Sequence, residues 1–219
     1  MIPKIIHQIY FNLSNTVLAD HKIFYQSHNI CKKYTDYHYM LWSEKECEDL
    51  LNCEFPQYKD FYNNFRYEIQ KIDFIRFCIL YRYGGFYVDL DMFMLKSFNE
   101  LLARKVVFHN VRHVKPNWSF IENDFMGSVP KFQLWLDIME KCVENYKDKE
   151  VIDIYKIWKG RFILQTTGPK FLSRFIQKKF PKFTPMKLVY TKFQSDPKDG
   201  YYLQDYKLNT WIKNQQGIL

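Results

Sequence analysis

The sequence predicts a single-domain α/β fold whose mainly parallel sheet is flanked by helices. Three observations predict it. Apolar runs of strand length alternate along the chain with segments of helical periodicity, the order that repeated β-α-β units require. The 219 residues are 47% apolar, with 20 Phe and 17 Tyr, enough to fill one sizeable core. A glycine pair, Gly84-Gly85, separates an apolar helical segment from a short apolar run that ends in Asp89 and Asp91. That places acidic chemistry at a carboxyl edge of the sheet, where such folds bind ligands.

Taken in order, the first apolar run predicts a strand over 2–11, followed by a mixed helical stretch over 16–33 and a strand over 36–42. Ser43, with Glu46 three residues on, forms a capping box that opens the next helix. Over 66–83 the residues Ile69, Ile72, Ile75, Ile79 and Tyr83 recur at helical spacing with few helix breakers, so this segment reads as a mostly buried helix. Gly84 falls where a left-handed cap ends that helix, and Gly85 lets the chain swing straight into a strand over 86–91. A short strand completes the first half, residues 1–100. The second half, 101–219, holds a strand over 105–110, a segment over 119–128, a helix over 130–146 launched by Pro130, and another from Pro169. There is no low-complexity linker or internal repeat, so one domain over 1–219 is expected.

In an extended strand side chains alternate, so Asp89 and Asp91 share one face while Val88 and Leu90 point to the other. Two converging carboxylates repel each other, but a divalent cation between them reverses the balance, and hard Mg²⁺ or Mn²⁺ prefers oxygen. Such ions take one or two protein carboxylates and complete their shell with water and substrate phosphates, so a D-x-D pair suggests a nucleotide diphosphate. The competing reading is a solvated strand end that carries two acids. On the preceding helix Asp73 and Arg76 lie three apart, on one face, among Ile72, Phe74, Ile75 and Phe77. They form either a structural ion pair or polar groups aimed into a ligand site.

The run Ile72-Asp73-x-x-Arg76, followed by Leu80-Tyr81-Arg82-Tyr83-Gly84-Gly85-Phe86-Tyr87-Val88-Asp89-Leu90-Asp91, resembles the D-x-x-R…Y-G-G-x-Y-x-D-x-D core of the DXD-containing glycosyltransferase sugar-binding family. That group includes fungal mannosyltransferases and capsular polysaccharide transferases and is distantly similar to glucosylating toxin domains. The opening Ile2-Pro3-Lys4-Ile5-Ile6-His7-Gln8-Ile9-Tyr10 is similar to the family's first strand. Weaker similarity covers Asn123 to Ser128, Thr167-Gly168-Pro169 and Asn209-Thr210-Trp211.

The resemblance implies a GT-A type fold, and it implies roles. Asp91 binds Mn²⁺ (or Mg²⁺) directly, and Asp89 contacts the donor's ribose or sugar, with the metal in reach through water. Asp73 and Arg76 hold hydroxyls of the transferred sugar. Tyr87 lines the nucleotide pocket, and Tyr10, standing where the family has Trp, stacks on the base, a job that needs a flat π face more than a particular ring. Gln8, Ile9 and Trp211 join the donor-binding set. Trp42 is pocket wall or core, and His7 and Gln8 also read as satisfied polar groups of a buried first strand. Asn123 and Asp124 fall near the acceptor or the sugar, or in a structural loop. The family places a His about six residues before its last tryptophan; this chain has Asp205 there, and Thr210 in place of Ser. A carboxylate suits a hard cation as well as an imidazole does, so Asp205 is the expected third metal ligand, on a tail that closes over the donor.

The implied activity is metal-dependent transfer of a hexose from a nucleotide-diphosphate sugar to a glycan, glycoprotein-glycan or sugar hydroxyl, with retention of anomeric configuration. UDP-glucose is the first expected donor, ahead of other UDP-sugars and GDP-mannose. Other classes fit less well. The net charge of +8 could signal nucleic-acid binding, but the basic residues are dispersed and no nucleic-acid-reading motif appears, so a positive field for an anionic donor is the better reading. Phosphatases built on a strand-end D-x-D continue D-x-D-x-T, and here Phe93 stands at the final position. The five cysteines are odd in number and lack C-x-x-C spacing, against a disulfide framework or zinc site. No apolar run approaches the roughly 20 residues that span a bilayer, and a soluble cytoplasmic domain with reduced thiols is expected.

Overall fold

The computed structural model describes residues 1–12, 17–115, 118–148, 159–183, 185–186, 188–191 and 200–208. Strand β1 (Ile5–Ile9) is the middle of a parallel trio, with β2 (His38–Trp42) on one side and β3 (Gly85–Val88) on the other. The sheet continues through β6 (Trp118–Ser128) to β5 (Val106–Lys115), in the order β2-β1-β3-β6-β5. The parallel arrangement therefore holds for the first half. The second half adds a hairpin whose strands run antiparallel to each other, as a two-residue connection requires, and whose β6 runs antiparallel to β3. The segment read as 119–128 is strand β6 itself.

A second, three-stranded sheet, β4-β8-β7, comprises β4 (Met92–Met94), β7 (Val189–Thr191) and β8 (Leu203–Asp205). Its β4 is the short strand expected to complete the first half, whereas β7, β8 and the sheet they build had no counterpart in the sequence reading, since each is only three residues long. Helices α1 (Lys22–Lys32), α2 (Glu44–Glu54), α3 (Lys59–Asn63), α4 (Glu68–Tyr83), α5 (Gln133–Lys147), α6 (Lys159–Thr166) and α7 (Pro169–Lys179) flank the sheets. The Ser43 capping box forms as expected: its side chain accepts from Glu46 N, and Ser43 N donates to the Glu46 carboxylate at 2.7 Å. Pro169 occupies the first turn of α7, whereas Pro130 sits in a turn ahead of α5.

Strand alternation divides the core. Tyr87 of β3 faces a cluster with Phe74 and Phe77 of α4, Trp135 and Ile138 of α5, and Phe108 and Met126 of the hairpin. Phe77 stacks on Trp135 with ring centres 5.8 Å apart. Phe86 and Val88 face the opposite way, onto Ile6, Phe98, Phe125, Met92 and Leu203. The small sheet thus covers a face that helices alone were expected to cover. Each such large apolar side chain, fully buried, stabilises the fold by about 1.5–3 kcal/mol.

The passage from α4 to β3 needs its two glycines. Gly84 has φ 64° and Gly85 φ 84°, and a Cβ would lie 2.7 Å from Ser128 O at the first and 2.7 Å from Ile5 O at the second. A close approach of main chains, as well as the left-handed backbone, therefore excludes a side chain. All five cysteines are free thiols, four of them buried. Among the described residues no helix is long and apolar enough to cross a membrane.

Candidate functional site

The site forms where the chain leaves one sheet for the other. Asp89 N donates to Asp124 O at 2.8 Å, the last contact of β3 with β6, and Met92 N then donates back to Asp89 O at 3.1 Å. Asp89, Leu90 and Asp91 thus form a turn, not the end of an extended strand, and their side chains are not related by strand alternation. The ladder ends at Val88 because β4 pairs with β8 instead, with Met92 opposite Asp205. Tyr206 N donates to Asp91 O and Leu208 N to Asp91 Oδ2, each at 3.0 Å. Asp205, expected on a closing tail, is a strand residue with 2% exposure.

Behind the turn lies a buried polar layer. Arg76 of α4 donates from Nη1 to Asn123 O at 2.6 Å and from Nε to Ile72 O at 3.2 Å. Its guanidinium lies 3.2 Å from Asp73 Oδ1 and 3.6 Å from Asp89 Oδ1, and covers the Tyr87 ring at 4.6 Å. Tyr87 Oη donates to Asp89 Oδ1 at 2.5 Å. Gln8, fully buried on β1, receives from Tyr39 Oη and donates to Ser27 Oγ, and its amide lies 3.5 Å from Asp89 O. Asp73 accepts from Asn123 Nδ2 at 2.8 Å and from Thr167 Oγ1 at 3.0 Å. Both of its oxygens are thereby engaged by the protein, and it ties α4 to β6 and to the start of α7.

Beside the turn, Asp124 binds the His109 imidazole Nε2 through Oδ1. The Lys207 ammonium reaches Asp205 Oδ2 at 2.7 Å, Asp124 Oδ2 at 3.3 Å and Glu122 Oε1 at 3.9 Å. These carboxylates feel one another. Burial, and then the charges of Asp89 and Asp205, push the Asp91 carboxyl up to about 7. Burial pushes Asp89 up to about 6 against the pull of Arg76. Burial and then Asp124 raise Glu122 and Asp205. Burial acts the same way on Asp124, but His109 and Lys207 outweigh it and hold that carboxyl below the usual range. Burial alone would lower the Lys207 ammonium; Asp124, Glu122 and Asp205 more than reverse this and keep it charged.

An excess of crowded carboxylate oxygen is the donor chemistry a hard divalent cation takes, and such an ion would offset the burial and the repulsion that together raise Asp89 and Asp91. Asp89, Asp91 and Asp205 fit it. Among the described residues no three acidic, His or Cys side chains are already gathered as a ligand set.

This turn and the helix before it lie in a stretch with a known counterpart. Residues 20–108 match the family model for the glycosyltransferase sugar-binding region containing DXD motif. The DXD region so matched contains Asp73, Arg76, Tyr87, Asp89 and Asp91, and stops before Asn123, Asp124 and Asp205. Over 228 residues the chain is 29% identical to the mannosyl phosphorylinositol ceramide synthase SUR1 of Saccharomyces cerevisiae, covering 98% of this chain and 55% of that protein. Over 231 residues it is 28% identical to the inositol phosphoceramide mannosyltransferase 2 of Schizosaccharomyces pombe, covering 100% and 61%. The chain thus spans between half and two thirds of the length of these relatives. Among solved structures, the PaToxG glycosyltransferase aligns with a TM-score of 0.60 at 20% identity, over 82% of this chain and 70% of that one. That likeness is one of fold, and it agrees with the GT-A type expected.

Of the remaining expected donor residues, Ile9, Tyr10 and Trp42 stand at the carboxyl ends of β1 and β2. Tyr10 follows the end of β1 half-buried, its main chain bound to Trp42 O and its ring edge-on to His21. Ile9 and Trp42 belong to the core at 6% exposure each. Trp42 packs on Tyr83 and donates to His7 Nδ1, so of its two readings the structure favours core. Trp211, with Asn209 and Thr210, lies outside the described residues. His109, Glu122 and Lys207 went unnoticed in the sequence. For Lys207 a faint signal existed, since it stands two residues after Asp205.

Proposed function

We propose that the chain is a metal-dependent glycosyltransferase that moves a hexose from a nucleotide-diphosphate sugar to a sugar or polyol hydroxyl. One observation carries the reading: the Asp89-Leu90-Asp91 turn lies at the carboxyl edge of β1 and β3, with Asp205 on the strand that pairs beside it. Asp91 and Asp205 would hold Mn²⁺ or Mg²⁺, with Asp89 next to them. When bound, that cation supplies positive charge where the leaving diphosphate gains negative charge. The chain's own residues do the positioning. Arg76 and Tyr87 fix the Asp89 carboxylate, Gln8 sits against its carbonyl, and Tyr10 offers an aromatic face at the end of β1 for the base.

Retention of configuration, implied by the family resemblance, would then proceed by same-face attack, since Asp73 and Asp124 are each bound by protein donors and neither is free as a nucleophile. Asn123 and Asp124 are the candidates on the acceptor side. The two relatives that span nearly the whole chain are named for mannose transfer, which moves GDP-mannose ahead of UDP-glucose as the donor to test first.

The experiment is a turnover screen of GDP-mannose, UDP-glucose and further nucleotide sugars, each with and without Mn²⁺, reading free nucleotide diphosphate and labelled sugar product. Metal-dependent release of the diphosphate from one donor is expected. Neither hydrolysis nor transfer with any donor, together with no thermal stabilisation by donor and Mn²⁺, would overturn the reading.

A further inference from the structure

Lys207 places an ammonium inside the carboxylate group, and the proposed chemistry has no part for it there. It is 2.7 Å from Asp205, 3.3 Å from Asp124 and 3.9 Å from Glu122, with its side chain 26% exposed. Its backbone stands at φ 46°, a left-handed conformation that a residue with a Cβ adopts at a cost. That conformation is held by Lys207 N, which donates to Asp205 Oδ1 at 2.7 Å. One residue therefore engages both oxygens of the carboxylate read as a metal ligand. The next residue, Leu208, donates its N–H to Asp91 Oδ2 at 3.0 Å.

We propose that Lys207 is a resident counter-ion that engages Asp205 in place of a divalent metal and must withdraw for the metal to bind there. The proposal rests on the reading of Asp91 and Asp205 as metal ligands. Without any cation, the crowded oxygens of Asp124, Asp205 and half-buried Glu122 would repel one another; the ammonium offsets that repulsion and keeps the site folded. A divalent ion competes for the same oxygens and cannot share Asp205 with an ammonium at 2.7 Å. Withdrawal is open to Lys207, because its stem is flexible and a quarter exposed and its strained backbone is held by the same carboxylate. The expected consequence is a metal site that is weak in the bare protein and becomes strong once the ammonium leaves, so that metal loading moves the 205–208 segment.

The test measures Mn²⁺ binding calorimetrically, in the absence of any donor, to the chelator-treated wild-type chain, Lys207→Met and Lys207→Arg. Lys207→Met should bind Mn²⁺ about tenfold tighter or more, and Lys207→Arg should stay near wild type. Metal-free Lys207→Met should melt below wild type and Mn²⁺ should close the gap, whereas a merely structural lysine would leave the gap open. Equal affinities for wild type and Lys207→Met, or weaker binding by the variant, would overturn the inference and leave the metal ligands standing. Absence of Mn²⁺ binding in all three would overturn both. A second readout needs no variant: in the wild-type chain, labelling of Lys207 by an amine-reactive reagent, followed by mass spectrometry, should rise when Mn²⁺ is added. Labelling unchanged at saturating Mn²⁺ would also overturn the inference.

Discussion

Arg76 Nη1 donates to the main-chain oxygen of Asn123 at 2.6 Å, and this bond joins the helix before the DXD turn to the strand behind it. The same guanidinium, 2% exposed, neutralises Asp73 and Asp89. Replacing it with Met keeps much of the volume but leaves Asp73 buried without its cation. Arg76→Met should cost about 3–5 kcal/mol of stability, the range found when one partner of a buried pair is removed. Arg76→Lys should recover only part, since one ammonium cannot reproduce the fork that serves Ile72 O, Asn123 O and two carboxylates. Urea denaturation checks both; an unchanged midpoint for Arg76→Met would show that the layer is not held by this residue.

Asp91→Asn separates chemistry from folding. The amide oxygen still accepts from Leu208 N, and one charge is removed from a group in which burial, and then Asp89 and Asp205, push Asp91 up to about 7. The metal-free variant should melt at or above the wild-type temperature. Diphosphate release from the donor should fall by about 100-fold or more, the scale on which a group stabilising transition-state charge is lost. Thermal melts and turnover, run on the same preparation, check the pair of outcomes.

How far the sequence alone reaches is clear from these residues. The periodicity of Ile69 to Tyr83, the Ser43 box and the Gly84-Gly85 pair were legible, because each is a local preference that the fold obeys. The turn at Asp89 was not, because the end of β3 is decided by its partners: β6 takes the chain to Asp89 and β8 takes it again at Met92. Lys207 and His109 come to Asp124 across 83 and 15 residues of chain, a proximity no spacing rule encodes. Trp42 left two readings open, pocket wall or core, that sequence could not separate. An aromatic after an apolar run suits either, and it is packing on Tyr83 and a bond to His7 that put it in the core.

Gly85→Ala tests the junction between α4 and β3. A methyl there would meet Ile5 O at 2.7 Å and Ile5 Cβ at 2.9 Å, on a backbone at φ 84°. Neither neighbour is a flexible side-chain end, so the strand pair β1-β3 must part. The expected loss is about 2–5 kcal/mol, combining a left-handed backbone penalty with overpacking. Because β3 leads directly into the Asp89 turn, donor turnover should fall along with stability. Denaturation midpoints check the first; a variant as stable as wild type would contradict the crowding at Ile5.

His7 gives the fold a pH dependence that can be isolated. The ring is fully buried, with Nε2 on Gly84 O at 2.9 Å and Nδ1 facing the Trp42 Nε1–H at 3.2 Å. This arrangement is satisfied by the neutral tautomer that donates from Nε2 and accepts at Nδ1; a second proton would aim one N–H at another. Burial, with a smaller push from His38, lowers its pKa from 6.5 to about 4. Between those values the unfolded chain binds a proton that the folded one refuses, so stability rises with pH from about 4 to 6.5 and is lost as pH falls through the same window. At about 1.4 kcal/mol per unit the full effect is about 3 kcal/mol. Asp89 and Asp91 act in the opposite sense: raised in the folded state, they weaken it as pH climbs toward about 6 and about 7. The raw profile therefore mixes signs, and the informative quantity is the difference between wild type and His7→Gln, which keeps a donor and an acceptor but has no charge to gain. That difference should favour wild type at pH 7 and shrink or reverse by pH 4, as read from urea denaturation at each pH. A difference that stays constant from pH 7 to pH 4 would mean that His7 is not held neutral by its surroundings.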